Sequence, residues 1–327
     1  MSSGGSNACV FQVRTTGELE PAEIDAIAHL FEIVFAKPCP PDLFLRKYAD
    51  SPLGRSVHSL MFLDGQLIGA FSAIPLRYRF FGETMPFAIT ADLMIHPSHR
   101  GPVSRLQQLA DGLYSTLARE GVAFVFCCLR DEVFRLHHAI SGWQAIGKIS
   151  YYAAPFRFPY LGPATALARA AVRVWNQRSP APRDAGYEIE KIDDTGFTNW
   201  RYRIFPTNYQ TIDLPGGGSA IYAKELYYPI VGLPPQLRTG ILLDVSPLTK
   251  TNLDAAVRQI RQREPRLSVL AYQGYLRFQP RDMLRIPAKY EKQPWTLAGK
   301  ILIPGQVDER IFHLRNWNIN LSNGDLV

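Results

Sequence analysis

The chain has 327 residues, of which 46% are hydrophobic, 12% aromatic and 20% charged. That balance excludes an intrinsically disordered chain, and the longest apolar run, Val122 to Leu129, is far short of the roughly 18 to 20 residues of a membrane-spanning helix. The net charge of +7, from 36 Lys and Arg against 29 Asp and Glu, is spread without a basic block, so it suits a small anionic ligand better than nucleic acid.

The first half alternates helical and strand periods. Phe11 to Arg14 reads as a strand. Ile24, Ile27, Phe31, Val34 and Phe35 recur at helical spacing behind Pro21, a favoured first-turn residue. A second helix is predicted over Pro41 to Tyr48, ended by the turn sequence Asp50 to Gly54. Three strands follow: Ser56 to Leu63, Gln66 to Phe80 and Pro86 to His96. Asp64-Gly65 marks the first hairpin and Gly82 the second. Arg105 to Glu120 is an amphipathic helix striped by Leu106, Leu109, Leu113 and Leu117, with Gly121 as its C-cap. Val122 to Leu129 reads as a buried strand of a parallel pair. A helix to Ala139 and a strand near Lys148 to Ala154 close this half.

The stretch Arg157 to Asp184 carries four prolines around an Ala-rich helix and reads as a connection. We place a first domain at 1–156, a linker at 157–186 and a second domain at 187–327. In the second, strands are predicted at Tyr187 to Ile192, Tyr209 to Leu214, Ser219 to Lys224, Gly240 to Val245 and Leu267 to Tyr272, with a helix through Leu253, Ala256, Val257 and Ile260. A strand, a helix and a strand thus recur in both halves, as in two copies of one α/β fold. Cys9, Cys39, Cys127 and Cys128 form no CxxC pair, so buried reduced thiols are expected, with neither metal site nor disulfide framework. The N-terminus has no basic segment followed by an apolar one, which points to a cytoplasmic protein.

The informative stretch is Ala91 to Gly101, with the helix that follows. A strand ends, a loop turns, and helix N–H groups and the positive end of the helix dipole face the loop. Such a loop is either a site for a diphosphate, with Arg100 and Arg105 adding charge, or an ordinary connection. The strand end Leu93-Met94-Ile95-His96-Pro97, the Arg100-Gly101 loop and the long helix resemble the acyl-coenzyme A motif of the GNAT N-acetyltransferase superfamily. Lys47-Tyr48 to Gly54 and the ending Asn316 to Asp325 resemble two-lobed GNAT-like proteins of polysaccharide biosynthesis.

The resemblance covers residues 11–155 well and 187–327 weakly. It implies two tandem GNAT-like lobes, a mixed sheet, and a second lobe too degenerate to bind coenzyme. It implies transfer of an acyl group, acetyl first, from acyl-coenzyme A to a primary amine, without metal. The acceptor would be an amino sugar or its nucleotide-linked form. An amino acid acceptor, a longer acyl chain, or a non-catalytic binding scaffold are the alternatives, and a homodimer is left open.

In the family, backbone groups of the motif strand bind pantetheine, which maps to Leu93, Met94 and Ile95. The diphosphate would meet Arg100, Gly101, Val103, Ser104 and Arg105. Val103 and Arg105 stand where the family has small loop residues, and Pro102 removes one donor. The family's thiolate protonator is a Tyr four residues before a Gly-aromatic pair. Here the pair is Gly142-Trp143, so the position is His138, beside His137. An imidazole is competent there near neutrality. Asp92 and Glu83 are the candidate bases. Trp200, Arg201, Tyr202 and Tyr209 form an aromatic and basic cluster that either holds the acceptor or packs into a core, and Trp317 has the same ambiguity.

Overall fold

A computed structural model describes residues 9–157, 163–178, 186–204, 209–224, 237–291 and 294–324. The first lobe runs β1 (Val10–Thr15), α1 (Pro21–Phe35), α2 (Pro41–Tyr48), β2 (Val57–Leu63), β3 (Gln66–Phe80), β4 (Glu83–Ile95), α3 (Val103–Arg119), β5 (Phe124–Leu129), α4 (Asp131–Ser141) and β6 (Gln144–Pro155). Then come α5 (Pro163–Arg178), β7 (Ile189–Lys191), α6 (Thr195–Arg201), β8 (Tyr209–Asp213), β9 (Ser219–Lys224) and β10 (Thr239–Ser246). α7 (Lys250–Arg263), β11 (Val269–Gly274), β12 (Leu284–Arg285) and β13 (Trp295–Ile301) complete the fold. The predicted prolines Pro159, Pro180 and Pro182 and the segment 226–236 lie outside the described residues.

The strands form one 13-stranded sheet in the order β1-β2-β3-β4-β5-β13-β6-β11-β10-β9-β8, with β7 added to β3 and β12 to β6. The two lobes repeat one plan. β2, β3 and β4 form an antiparallel meander, and α3 carries the chain to parallel β5. β8, β9 and β10 form a second meander, and α7 carries the chain to parallel β11. The architecture is therefore a mixed α/β fold with tandem GNAT-like lobes. β6 joins them, because its first half pairs with β13 and its second half with β11.

Two strands beyond residue 186 lie in the sheet of the first lobe. β7 pairs with β3, and β13 runs antiparallel between β5 and β6. β13 was not evident as a strand from its sequence. It is buried on both faces and uses small residues, Ala298 and Gly299, where its neighbours are bulky. A Cβ at Gly299 would collide with the Phe124 ring and lie 2.5 Å from the Val125 carbonyl oxygen. Trp317 is fully buried against Tyr78, Phe87, Phe124 and Phe126, and its Nε1 donates to Ile311 O at 2.6 Å. It is a core residue that ties the chain's last segment to the first lobe.

His58 is wholly buried between the Thr16 hydroxyl at 2.9 Å and the Ser72 hydroxyl at 2.8 Å. Burial lowers its pKa from 6.5 to about 3. His137 is buried as well, and burial lowers it to about 4. Both are neutral when folded and become protonated in the unfolded chain as pH drops below 6.5. Their stabilisation is complete above that value and is lost as pH falls toward the folded values. The melting temperature should therefore decline from neutral to acidic pH, with a shallower slope in His58→Gln; equal slopes would exclude His58 as a source. Gly299→Ala should destabilise the fold by about 1–3 kcal/mol through overpacking. An unshifted denaturant midpoint would contradict the interposition of β13.

Candidate active site

The site is made where two parallel strands part. β4 and β5 pair through Phe87 with Phe124, Ala88 with Val125 and Ile89 with Phe126, and pairing stops there. β5 stays paired with β13 on its other edge as far as Leu129. A wedge therefore opens between 90–95 of β4 and 127–129 of β5, and among the described residues no segment pairs with β4 on that side.

The cause is a bulge in β4. Ala91 opposes Ser72 of β3 while Met94 opposes Ala70, so β4 holds one extra residue around Asp92 and Leu93. A bulge bends and twists its strand. Asp92 sits at φ 48°, a left-handed conformation that costs a side-chain-bearing residue roughly 1–2 kcal/mol. Its carboxylate offsets that cost. Lys47 Nζ lies 2.9 Å from Oδ2, and the Tyr48 hydroxyl donates to the same oxygen at 2.5 Å. Both donors come from the last turn of α2, and the Lys47 and Asp92 side chains are only 6% and 12% exposed. Trp200 Nε1 donates to Lys47 O at 2.9 Å. Asp92 is thus held as a charge-paired anchor of the bulge.

The second lobe repeats the device. Leu242 opposes Tyr222 and Asp244 opposes Ile221, so β10 also carries an extra residue. Pairing of β10 with β11 ends at Leu242 and Tyr272. Buried Asp244 takes Lys191 Nζ at 2.7 Å and Asn320 Nδ2 at 2.9 Å. Desolvation raises its pKa, but Lys191 and the hydrogen bonds outweigh it and hold the carboxyl below the usual range. Here, however, the chain's own segment 319–324 fills the opening. Tyr275 N donates to Ile319 O at 3.0 Å, and Arg201 donates to Ser322 O at 3.1 Å. One wedge is closed by protein and the other is open.

Below the open wedge, a single-turn helix at Pro97–His99 leads into α3. The N-cap, Pro102, supplies no side-chain acceptor. Val103 and Ser104 have no intrahelical acceptor for their amides, and Val103 is 58% exposed. Arg105 N donates to Pro102 O at 3.1 Å. A Cβ at Gly101 would meet only His99 O, at 3.9 Å, so the loop is uncrowded. Arg100 is exposed and its Nε reaches Ile95 O at 3.4 Å. An exposed, uncapped helix start with two arginines fits an anionic diphosphate.

Beyond the other end of the wedge lies a pocket with about 410 Å³ of empty space, partly open to solvent. Cys127, Cys128, Ile149, Gln273, Trp295, Asn320, Leu321 and Gly324 line it, and among the described residues none of the lining side chains is charged. Burial pushes the Cys128 thiol well above its usual pKa. Both lobes and the chain's last segment contribute, and only the β5 end was apparent from sequence.

His138 lies in the last turn of α4, exposed, with Nδ1 2.7 Å from Trp143 O. A carbonyl only accepts, so Nδ1 carries a proton and Nε2 is the nitrogen left to face a ligand. Glu83 starts β4 beside the hairpin turn, about 30 Å along the strand from Asp92; the fold does not bring the two carboxylates together. Trp200 and Arg201 are buried and hold α2 and the chain's last segment. The Tyr202 hydroxyl meets Asp244 at 3.5 Å, and its ring packs edge-on against Tyr209 at 5.2 Å. None of these four lines the pocket. Among the described residues no group of His, Cys, Asp and Glu side chains could hold a metal, and no helix is long and apolar enough to cross a membrane.

Comparison with known proteins matches residues 15–128 to the acetyltransferase (GNAT) domain family. That span is therefore similar to a GNAT acetyltransferase domain. The matched span holds α2, the bulge, the wedge and α3. No curated protein matches the chain. Three solved structures share the fold across about nine-tenths of the chain. A probable N-acyltransferase from Enterococcus faecalis has TM-score 0.58 and 14% identity, covering 90% of this chain and 73% of its own. A GCN5-related N-acetyltransferase from Anabaena variabilis has TM-score 0.57 and 11% identity, covering 89% and 73%. Eis1 from Mycobacterium abscessus has TM-score 0.53 and 16% identity, covering 90% and 74%. The fold shared with these structures therefore extends over both lobes.

Lys47→Met removes the partner of a nearly buried carboxylate. It should cost about 3–5 kcal/mol, read as a lower denaturation midpoint, and a loss below 1 kcal/mol would show that Tyr48 alone holds the bulge.

Proposed function

We propose that the protein is an acyl-coenzyme A-dependent N-acyltransferase that moves an acetyl group directly to the primary amine of an amino sugar, free or nucleotide-linked. The observation that carries this reading is the open wedge between β4 and β5 beside the uncapped start of α3. Pantetheine would pair with the free edge at Leu93, Met94 and Ile95, and one amide there would polarise the thioester carbonyl. The diphosphate would lie on the amides of Gly101, Val103 and Ser104, between Arg100 and Arg105.

The neutral amine attacks the thioester carbon, an oxyanion forms, the carbon–sulfur bond breaks, and the thiolate takes a proton. His138 suits that proton traffic. With Nδ1–H on Trp143 O, its Nε2 accepts the amine's proton and returns it to sulfur. Asp92 serves through the bulge, where its Oδ2 is taken by Lys47 and Tyr48. The pocket supports an acceptor with an uncharged, hydroxyl-bearing body: Gln273 and Asn320 offer amides and Trp295 an aromatic surface.

One feature favours a second reading, a GNAT-derived binding scaffold: Val103 and Arg105 replace small loop residues, and Pro102 lacks an amide. A thermal melt with acetyl-coenzyme A, followed by thiol release with amino-sugar nucleotides, separates the two. Stabilisation with thiol release is expected. His138→Phe should lower kcat about 100-fold or more while coenzyme affinity holds, and Arg100→Ala should weaken affinity. No stabilisation at millimolar coenzyme would favour the scaffold.

A further inference from the structure

α5 is built the wrong way round for a surface helix. Arg169, Arg173 and Asn176 turn toward the protein, and among the described residues Gln177 is the polar side chain left exposed near its end. Arg169 donates to Phe156 O at 2.9 Å, and Arg173 pairs with Asp282 at 2.6 Å. Buried Asn176 donates to Pro280 O at 2.7 Å and Met283 O at 2.8 Å. The outward face holds Ala166, Leu167, Ala170, Ala171, Val174 and Trp175. Leu167 is 70%, Val174 47% and Trp175 68% exposed. These residues recur at helical spacing on one side, so they form one continuous apolar stripe rather than scattered hydrophobes.

The surroundings are basic. Arg157, Arg281, Arg285 and Lys289 are exposed in the segments flanking or packed against the helix. The nearby acids are Asp282, buried and neutralised by Arg173 and Arg261, Asp254, which accepts from Arg281 N at 2.8 Å, and half-buried Glu291, so exposed cations outnumber them. Tyr290 is 48% exposed beside Lys289. An apolar helical face carrying Trp, rimmed by cations, matches the chemistry of an anionic lipid surface. Six side chains of one helix also fall short of the roughly 800 Å² per partner of a stable protein interface, whereas a helix lying in a bilayer interface has no such threshold.

We propose that the outward face of α5 is a membrane-surface docking site that seats the protein on an anionic bilayer through Leu167, Val174 and Trp175. The bound helix lies in the plane of the interface, with its apolar face among the acyl chains and its arginines held by the protein.

The full chain is tested by flotation with phosphatidylcholine vesicles, with and without phosphatidylglycerol. Binding is expected with the anionic vesicles, weakened by salt, and accompanied by a blue shift of tryptophan emission that Trp175→Phe abolishes. A Leu167→Gln, Trp175→Gln variant should lose at least about ten-fold in vesicle affinity with an unchanged melting temperature. The proposal fails if the chain does not float with anionic vesicles, or if the double variant floats equally well. It also fails if light scattering finds a dimer that Trp175→Gln disperses, since the face would then join two protein copies.

Discussion

The functional geometry depends on one buried ion pair. Lys47 and Tyr48 grip the Asp92 carboxylate, and that grip holds a left-handed residue inside a strand. The resulting bulge turns β4 away from β5 after three paired residues. Without the turn, two parallel strands would stay zipped and no backbone edge would be exposed for a ligand. The pair lies close to the Trp200 indole, so the second half of the chain braces it.

The second lobe shows the same arrangement put to a different end. Asp244 and Lys191 stand in β10 and β7 as Asp92 and Lys47 stand in β4 and α2, and again a parallel pair opens. Segment 319–324 enters that opening, and Arg201 clamps its carbonyls. The same segment then forms a wall of the pocket at the end of β5. The repeated plan thus leaves one wedge open and stoppers the other with its own chain, which brings the Asn320 amide to the pocket wall.

Periodicity and turn chemistry revealed most of the first lobe, because each element there is a local decision. The α3 stripe, the Asp64-Gly65 hairpin and the apolar β5 run fall where the spacing puts them. β13 was hidden, since Gly299 answers to Phe124 and Val125 on the neighbouring strand rather than to its own sequence neighbours. The aromatic and basic stretch at Trp200 to Tyr202 drew attention for the right residue types, yet tertiary packing makes it internal bracing. The bulge has no sequence mark at all: nothing about an Asp in a strand announces a left-handed backbone. Glu83 and Asp92 share a strand and are separated by most of its length, which linear proximity disguises.

The interposed position of β13 also bears on how the protein is made. The sheet of the first lobe needs residues 295–301 between β5 and β6, so that lobe is incomplete until those residues have left the ribosome. Until then β5 and β6 expose long unsatisfied edges, and pairing across such sequence separations is slow. The sheet of the first lobe therefore closes only after the strands of the second lobe have been synthesised.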